Sequence, residues 1–367
     1  MNFYDLDAYD YELPASRIAQ APAVPRDSSR LLAWRVSEGK REHLSFRDIP
    51  NCLEPDDLLV LNDTRVLPAR LWGSKAKSGA RVEVLLLSPS TPDFRLWKAL
   101  VRPGRRLPVG AEIQVGERTL SVVGREDGGI RVLCVGTGKD DVLAFLDREG
   151  EMPLPPYIKT RDFARDFSAR ESYQTVFALN DGSVAAPTAS LHFTQDLLGR
   201  IKDRGVEVAW VTLHVGLGTF RPVKSQDIRD HHIHSEYCRV SSATEEAVRK
   251  CRRRRGRVVA GGTTVARTLE SMAADGESER GLVRTGAMGT ELFIYPGFAY
   301  KVVDALITNF HLPKSSLLML VAAFVNDLIG GAGQEERALA AVRETYSLAI
   351  SEEYRFFSFG DAMFIGK

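Results

Sequence analysis

Cysteine is scarce. Cys52, Cys134, Cys238 and Cys251 stand far apart with no CxxC pair, which argues against a disulfide framework and for free thiols in a reducing compartment. Long oily runs are also missing: the longest, Leu317 to Val325, has nine residues, against the roughly 20 that a bilayer requires, so no membrane span is expected. The amino-terminal stretch MNFYDLDAYDYELP carries four acids and no apolar core, unlike a secretory signal, and a cytoplasmic location is expected. Charge of one sign is lacking too. With a formal net charge of +1, the chain as a whole exerts no pull on nucleic acid, so any basic surface must be local.

What is present falls into two textures. From about residue 69 to 138, the short runs ARLWG, ARVEVLLL, FRLWKALV, AEIQV, RTLSVV and IRVLCV alternate with turn residues, which predicts a small antiparallel β-barrel or sandwich. DDVLAFLDREG predicts a helix closing it, with Gly150 as its stop. Elsewhere DDLLVLN (56–62), VEVAWVTL (206–213), RVVAGG (257–262) and DALITNF (304–310) read as strands buried on both faces. Helices are expected after Thr194, from an N-cap at Ser242, after Thr263 or Thr264, and through SSLLMLVAAFV after Lys314. The predicted fold is a three-layer α/β sandwich with a mixed sheet (1–68 and 151–367), interrupted by a β-barrel insert (69–150).

In open α/β sheets, ligands sit beyond the carboxyl ends of strands, often at the next helix start. Four predicted strand exits carry polar motifs: Asp63-Thr64-Arg65; His214-Val215-Gly216-Leu217-Gly218-Thr219-Phe220; Thr263-Thr264; and Asn309 with His311-Leu312-Pro313-Lys314-Ser315. Each has a purely structural alternative, respectively a turn, a glycine-rich bend, a helix cap and a helix start. Together they point to a composite pocket. The uncharged loop GSVAAPTASLHFT (182–194) joins this set, because its small residues allow close backbone approach and leave Thr188, Ser190 and His192 as its polar contacts.

Two further stretches stand out. Along Asp230–Glu236, His232, His234 and Glu236 would share one face of a strand, but no second ligand cluster accompanies them, and no metal site is assigned. Arg249 to Arg257 carries seven cations in nine positions at an expected helix end. Arg252, Arg253, Arg254 and Arg255 are therefore candidates for a phosphate backbone, with a solvated helix terminus as the alternative.

Ten blocks give these motifs a family context: YELPASRIAQAP, RDSSRLL, LNDTRVLPARLWG, MPLPPYI, YQTVFA, GSVAAPTASLHFT, TLHVGLGTFRPV, GTTVARTLES, LITNFHLPKSSLLMLVAAF and YRFFSFGDAMFI. In this order, from Tyr11 to Ile365, the chain resembles the S-adenosylmethionine:tRNA ribosyltransferase-isomerases of queuosine biosynthesis. It departs at Ser190, where glycine is expected, and at Ile233, where methionine is usual.

The resemblance implies a fold of α/β sandwich with inserted β-barrel. It also implies transfer and isomerisation of the ribosyl part of S-adenosylmethionine onto 7-aminomethyl-7-deazaguanine at the wobble position of tRNAs with GUN anticodons. Adenine and methionine leave, and epoxyqueuosine remains. S-adenosylmethionine is then a consumed substrate, with no other cofactor, and a monomer is expected. A positioned base must remove a C5′ proton beside the sulfonium. His192, His214 and His311 are the candidates, with Asp63 as a rival. Arg65 is a candidate for the methionine carboxylate, and Thr263 and Thr264 for that carboxylate or a tRNA phosphate. Competing readings are a non-catalytic RNA-binding protein and a methyltransferase, the latter disfavoured because no strand runs into the usual methyltransferase glycine loop.

Overall fold

The computed structural model describes residues 2–158, 167–216, 223–274, 276 and 281–367. Strands and helices are labelled in chain order. The strand predicted from DDLLVLN is β3 (Leu58–Asn62), and it explains why that run is apolar throughout. Leu58 and Val60 pack into one core while Leu59 and Leu61 pack into another, so alternation would leave polar groups in one of them. Cutting Leu59 to alanine would cost about 2–5 kcal/mol.

A nine-stranded mixed sheet surrounds β3. In spatial order it runs β15 (Gly286–Thr290), β13 (Glu236–Val240), β12 (Glu207–Leu213), β3, β14 (Val258–Gly261), β16 (Ala305–Asn309), β17 (Ala362–Gly366), β1 (Arg30–Arg35) and β2 (Lys40–Ser45). β12, β3, β14 and β16 are parallel, whereas β17 runs antiparallel to β16 and parallel to β1. That reversal decides where the site can form. The ends of four strands and the starts of β17 and β1 meet at one edge of the sheet, called here the carboxyl edge.

Helices cover both faces. α4 (Ser242–Arg253), α5 (Thr263–Ser271), α6 (Ser316–Leu328) and α7 (Glu335–Ser351) share one core. α3 (Gln195–Asp203) and a 3-10 segment, Phe46–Cys52, share the other. The result is the expected three-layer sandwich. Thr194 caps α3 by accepting from the Leu197 amide at 3.1 Å. For α4 the cap is Ser241, one residue before the predicted Ser242, because Ser241 Oγ is the atom that accepts from the Thr244 amide. α6 is buried nearly all round, as its composition predicts. No helix among the described residues is long and apolar enough to cross a membrane.

The six β-rich runs form a closed barrel of β5 (Arg70–Lys75), β6 (Arg81–Pro89), β7 (Leu96–Arg102), β8 (Glu112–Val115), β9 (Arg118–Arg125) and β10 (Arg131–Cys134). Its interior is filled by alternating residues such as Leu71, Val84, Trp97 and Ile113, with Val142, Phe145 and Leu146 of α1 (Lys139–Glu149) plugging one end. The chain enters and leaves side by side: Arg70 and Glu151 exchange backbone hydrogen bonds of 3.1 and 2.8 Å. Gly150 makes that approach possible, since a Cβ there would stand 1.9 Å from the Pro68 carbonyl oxygen. A two-stranded pair, β4 (Thr64–Val66) and β11 (Asn180–Ser183), and the short α2 (Phe167–Ser172) complete the elements.

Candidate active site

A cavity of about 410 Å³ opens at the carboxyl edge. Its walls come from the loop after β11 (Ala186 to Ala189), the start of α5 (Gly262 to Thr264), the segment from Thr308 to Ser315, Pro156 with Tyr157, and Phe357 with Ser358. The volume lies in the range of small-molecule sites. Among the described residues its lining contains no carboxylate and one cation, Lys314, whose ammonium lies 2.7 Å from Asp7 and 3.0 Å from Asp10. Lys314 is therefore placed at the rim, paired with two exposed aspartates.

Two helix starts face the cavity. Gly262, at φ 119°, turns the chain from β14 into α5, and no side chain caps the amides that follow. Thr263 and Thr264 thus bring both hydroxyls and the positive end of the helix dipole to the wall. Thr264 Oγ1 is 3.2 Å from Asn62 Nδ2, which ties α5 to the end of β3. Ser315 caps α6 and lies on the opposite wall.

Among the described residues, His311 is the one histidine of the lining. It is fixed at three points: Nε2 is 2.8 Å from Thr308 Oγ1, its amide donates to the Tyr346 hydroxyl at 3.2 Å, and its carbonyl accepts from the Tyr11 hydroxyl. Nδ1 has no partner among the described residues. Burial pushes the imidazole pKa down to about 3, so the ring is neutral at physiological pH. In the tautomer whose Nε2–H donates to Thr308, Nδ1 presents a lone pair.

The other predicted residues separate into distinct groups. Thr188 and Asn309 line the cavity with Thr263, Thr264, His311 and Lys314. His192 does not: it stacks on Phe46 and its Nδ1 is 2.7 Å from Ser29 Oγ, behind the wall, with burial lowering its pKa to about 4. Ser190 is also turned away, its hydroxyl donating to the Gly261 carbonyl at 3.0 Å, which explains how this loop tolerates a side chain. His214 is wedged between Gly182, where a Cβ would lie 2.7 Å from its ring, and the face of Tyr237. Thr64 Oγ1 binds its Nδ1 at 2.8 Å, and burial lowers its pKa to about 4.

Asp63 accepts from Thr212 Oγ1 at 2.7 Å. Arg65 points outward to the Ala178 carbonyl, 2.9 Å away, and is not among the residues lining the cavity. Gly216 donates its amide to Glu236 at 2.8 Å rather than to the cavity. Gly218 and Thr219 lie outside the described residues.

The arginine run occupies the opposite edge of the sheet. Arg252 binds Asp304 at 2.6 Å and the Gly281 carbonyl at 3.1 Å, while Arg253 pairs with Glu246 at 2.8 Å. Arg252 is thus a structural tie between α4 and the start of β16, not a free cation. Arg254 and Arg255 face solvent. In the histidine stretch, strand β13 begins only at Glu236, whose carboxylate pairs with buried Arg267, so His232 and His234 share no strand face with it. No group of three or more metal-binding side chains occurs among the described residues.

Tyr157, Thr308, Phe357 and Ser358 line the cavity but were not singled out by sequence. Tyr157 and the Phe357–Ser358 pair sit in the blocks MPLPPYI and YRFFSFGDAMFI, the only signal that could have found them.

An α/β sheet with a cavity at its carboxyl edge, walled by helix starts and one neutral histidine, defines a small-molecule-binding protein of the enzyme type. A family model described as queuosine biosynthesis protein matches residues 6–365. Relatives from Moorella thermoacetica and Gloeobacter violaceus, both named S-adenosylmethionine:tRNA ribosyltransferase-isomerase, are 48% and 52% identical over 362 residues. These matches cover 98% of this chain and 99% and 95% of the relatives. A crystal structure of the S-adenosylmethionine tRNA ribosyltransferase from Thermotoga maritima is similar with a TM-score of 0.53 at 37% identity, covering 98% of this chain and 99% of that one. The chain belongs to the queuosine biosynthesis protein family.

Proposed function

We propose that the protein is an S-adenosylmethionine:tRNA ribosyltransferase-isomerase. It transfers and isomerises the ribosyl group of S-adenosylmethionine onto 7-aminomethyl-7-deazaguanine at the wobble position of GUN-anticodon tRNAs, releasing adenine and methionine and leaving epoxyqueuosine. The observation that carries this reading is neutral His311 in the lining of the cavity.

The sulfonium acidifies the C5′ hydrogens, and His311 Nδ1 accepts one as the sugar opens. The imidazolium so formed is disfavoured by the same burial that lowered its pKa, so it readily passes the proton to the departing adenine nitrogen. Thr188 and Asn309 contact the nucleoside, and the α5 start with Thr263 and Thr264 faces a phosphate of the incoming tRNA. Lys314 holds the rim through Asp7 and Asp10, and Tyr11 holds the His311 carbonyl. Arg254 and Arg255 supply sequence-independent phosphate attraction. S-adenosylmethionine is consumed, no further cofactor takes part, and the working form is a cytoplasmic monomer.

The test is mass analysis of the tRNA, with measurement of free adenine, after incubation with purified protein. Adenine should appear only when acceptor tRNA is present, and the modified base should gain the epoxycyclopentanediol. Gain of a methyl group would identify a methyltransferase, and binding without adenine release would identify a non-catalytic RNA-binding protein.

A further inference from the structure

The proposed substrate carries a carboxylate, yet among the described residues the one cation lining the main cavity, Lys314, is paired with two aspartates, and Arg65 faces outward. A buried cation stands next to the cavity instead. Arg267 lies one turn along α5 from Thr263 and is 5% exposed. Its Nη1 pairs with Glu236 and its Nε donates to the Leu292 carbonyl at 3.1 Å, but Nη2 is buried without a hydrogen-bond partner among the described residues. Leaving such a donor unmade is costly.

Arg267 borders a second, small cavity of about 20 Å³, together with Ile233, Phe293, Ser316, Leu317 and Leu320. Ser316 opens the 13-residue helix α6, so the dipole of that helix favours negative charge at the same spot. Leu317 lines both cavities. The space admits one water-sized group, which is the size of a single carboxylate oxygen.

We propose that this slot is the carboxylate subsite of the active site, in which Arg267 and the first turn of α6 bind the carboxylate of the substrate's amino-acid tail. The inference rests on the proposed reading of the main cavity. Glu236 pairs with Nη1 and the Leu292 carbonyl accepts from Nε, so the guanidinium is held in place, with Nη2 its remaining donor, before the ligand arrives.

The test compares binding of S-adenosylmethionine with its decarboxylated analogue by calorimetry on the intact protein. The wild type should bind the carboxylated form roughly ten- to a hundredfold more tightly, the range of a charge-assisted hydrogen bond. Arg267→Met together with Glu236→Gln, which avoids stranding a buried carboxylate, should bind the two ligands equally. Equal binding by the wild type, with adenine still released from S-adenosylmethionine, would overturn the subsite and leave the proposed function standing. Failure of the wild type to bind either ligand would overturn both.

Discussion

The two edges of one sheet treat their polar groups in opposite ways. At the edge where β3, β14 and β16 begin, the buried bonding capacity is matched: Asp57 accepts from the Arg257 amide and guanidinium and from the Glu54 amide, and Asp304 accepts from Arg252 and the Val258 amide. At the carboxyl edge it is not. Among the described residues Arg267 Nη2 is buried without a partner, and His311 lines the cavity. Since unmade bonds cost stability, a protein keeps them where a ligand completes them.

The largest effect expected from breaking this contrast is at His311. His311→Asn should lower the rate of adenine release by about 10²- to 10⁴-fold while leaving S-adenosylmethionine affinity within a few fold, as measured by single-turnover kinetics and calorimetry. His214→Asn, which alters a ring outside the cavity wall, should leave more activity than His311→Asn under the same assay. The reverse order would move the base to the β12 exit.

The saturated edge should answer in stability instead. Asp57→Ala strands Arg257 and should cost about 3–5 kcal/mol in denaturant unfolding, with turnover per folded molecule unchanged. A variant equally stable but inactive would erase the distinction between the edges.

Acid should act through the buried histidines. His192, His214 and His311 titrate at about 4, 4 and 3 in the folded protein, below the ordinary 6.5, because burial disfavours their charged forms. The unfolded chain therefore binds more protons between those values and 6.5, so this contribution is complete above pH 6.5 and declines as pH falls toward 4. Thermal melts should show Tm dropping across that window, and His311→Asn should flatten part of the slope.

Arg254 and Arg255 offer the smallest effect. Changing both to serine should reduce the slope of log affinity for tRNA against log salt by about two, with no change in adenine release per bound tRNA. An unchanged slope would remove both from the RNA surface.

How much of this was legible in the sequence follows from what each feature depends on. The central strands announced themselves because burial on both faces demands unbroken apolar runs, as in β3 and β16. The barrel announced itself through alternation between turns. Strands β1 and β17 did not stand out, since they depend on each other across more than 300 residues, and β2, an edge strand paired only with β1, went unnoticed with them. α7 also escaped notice, its stripe resting partly on small residues such as Ala338 and Ala349.

For the site, the strand exits were readable but the direction of each side chain was not. His192, His214 and His311 look alike as residues near strand ends. Their roles separate only through Ser29, Thr64 and Thr308, and the first two of these partners lie 163 and 150 positions away. In the arginine run the cations were visible, but the pairing of Arg252 with Asp304, 52 positions away, was not.

The most direct test of the account is a crystal structure of the protein with S-adenosylmethionine bound. The nucleoside should fill the cavity between Thr263, Asn309 and His311, with C5′ about 3–3.5 Å from His311 Nδ1. Density for it on the outer face beside Asp63, Arg65 and His214, with the cavity empty, would contradict the account.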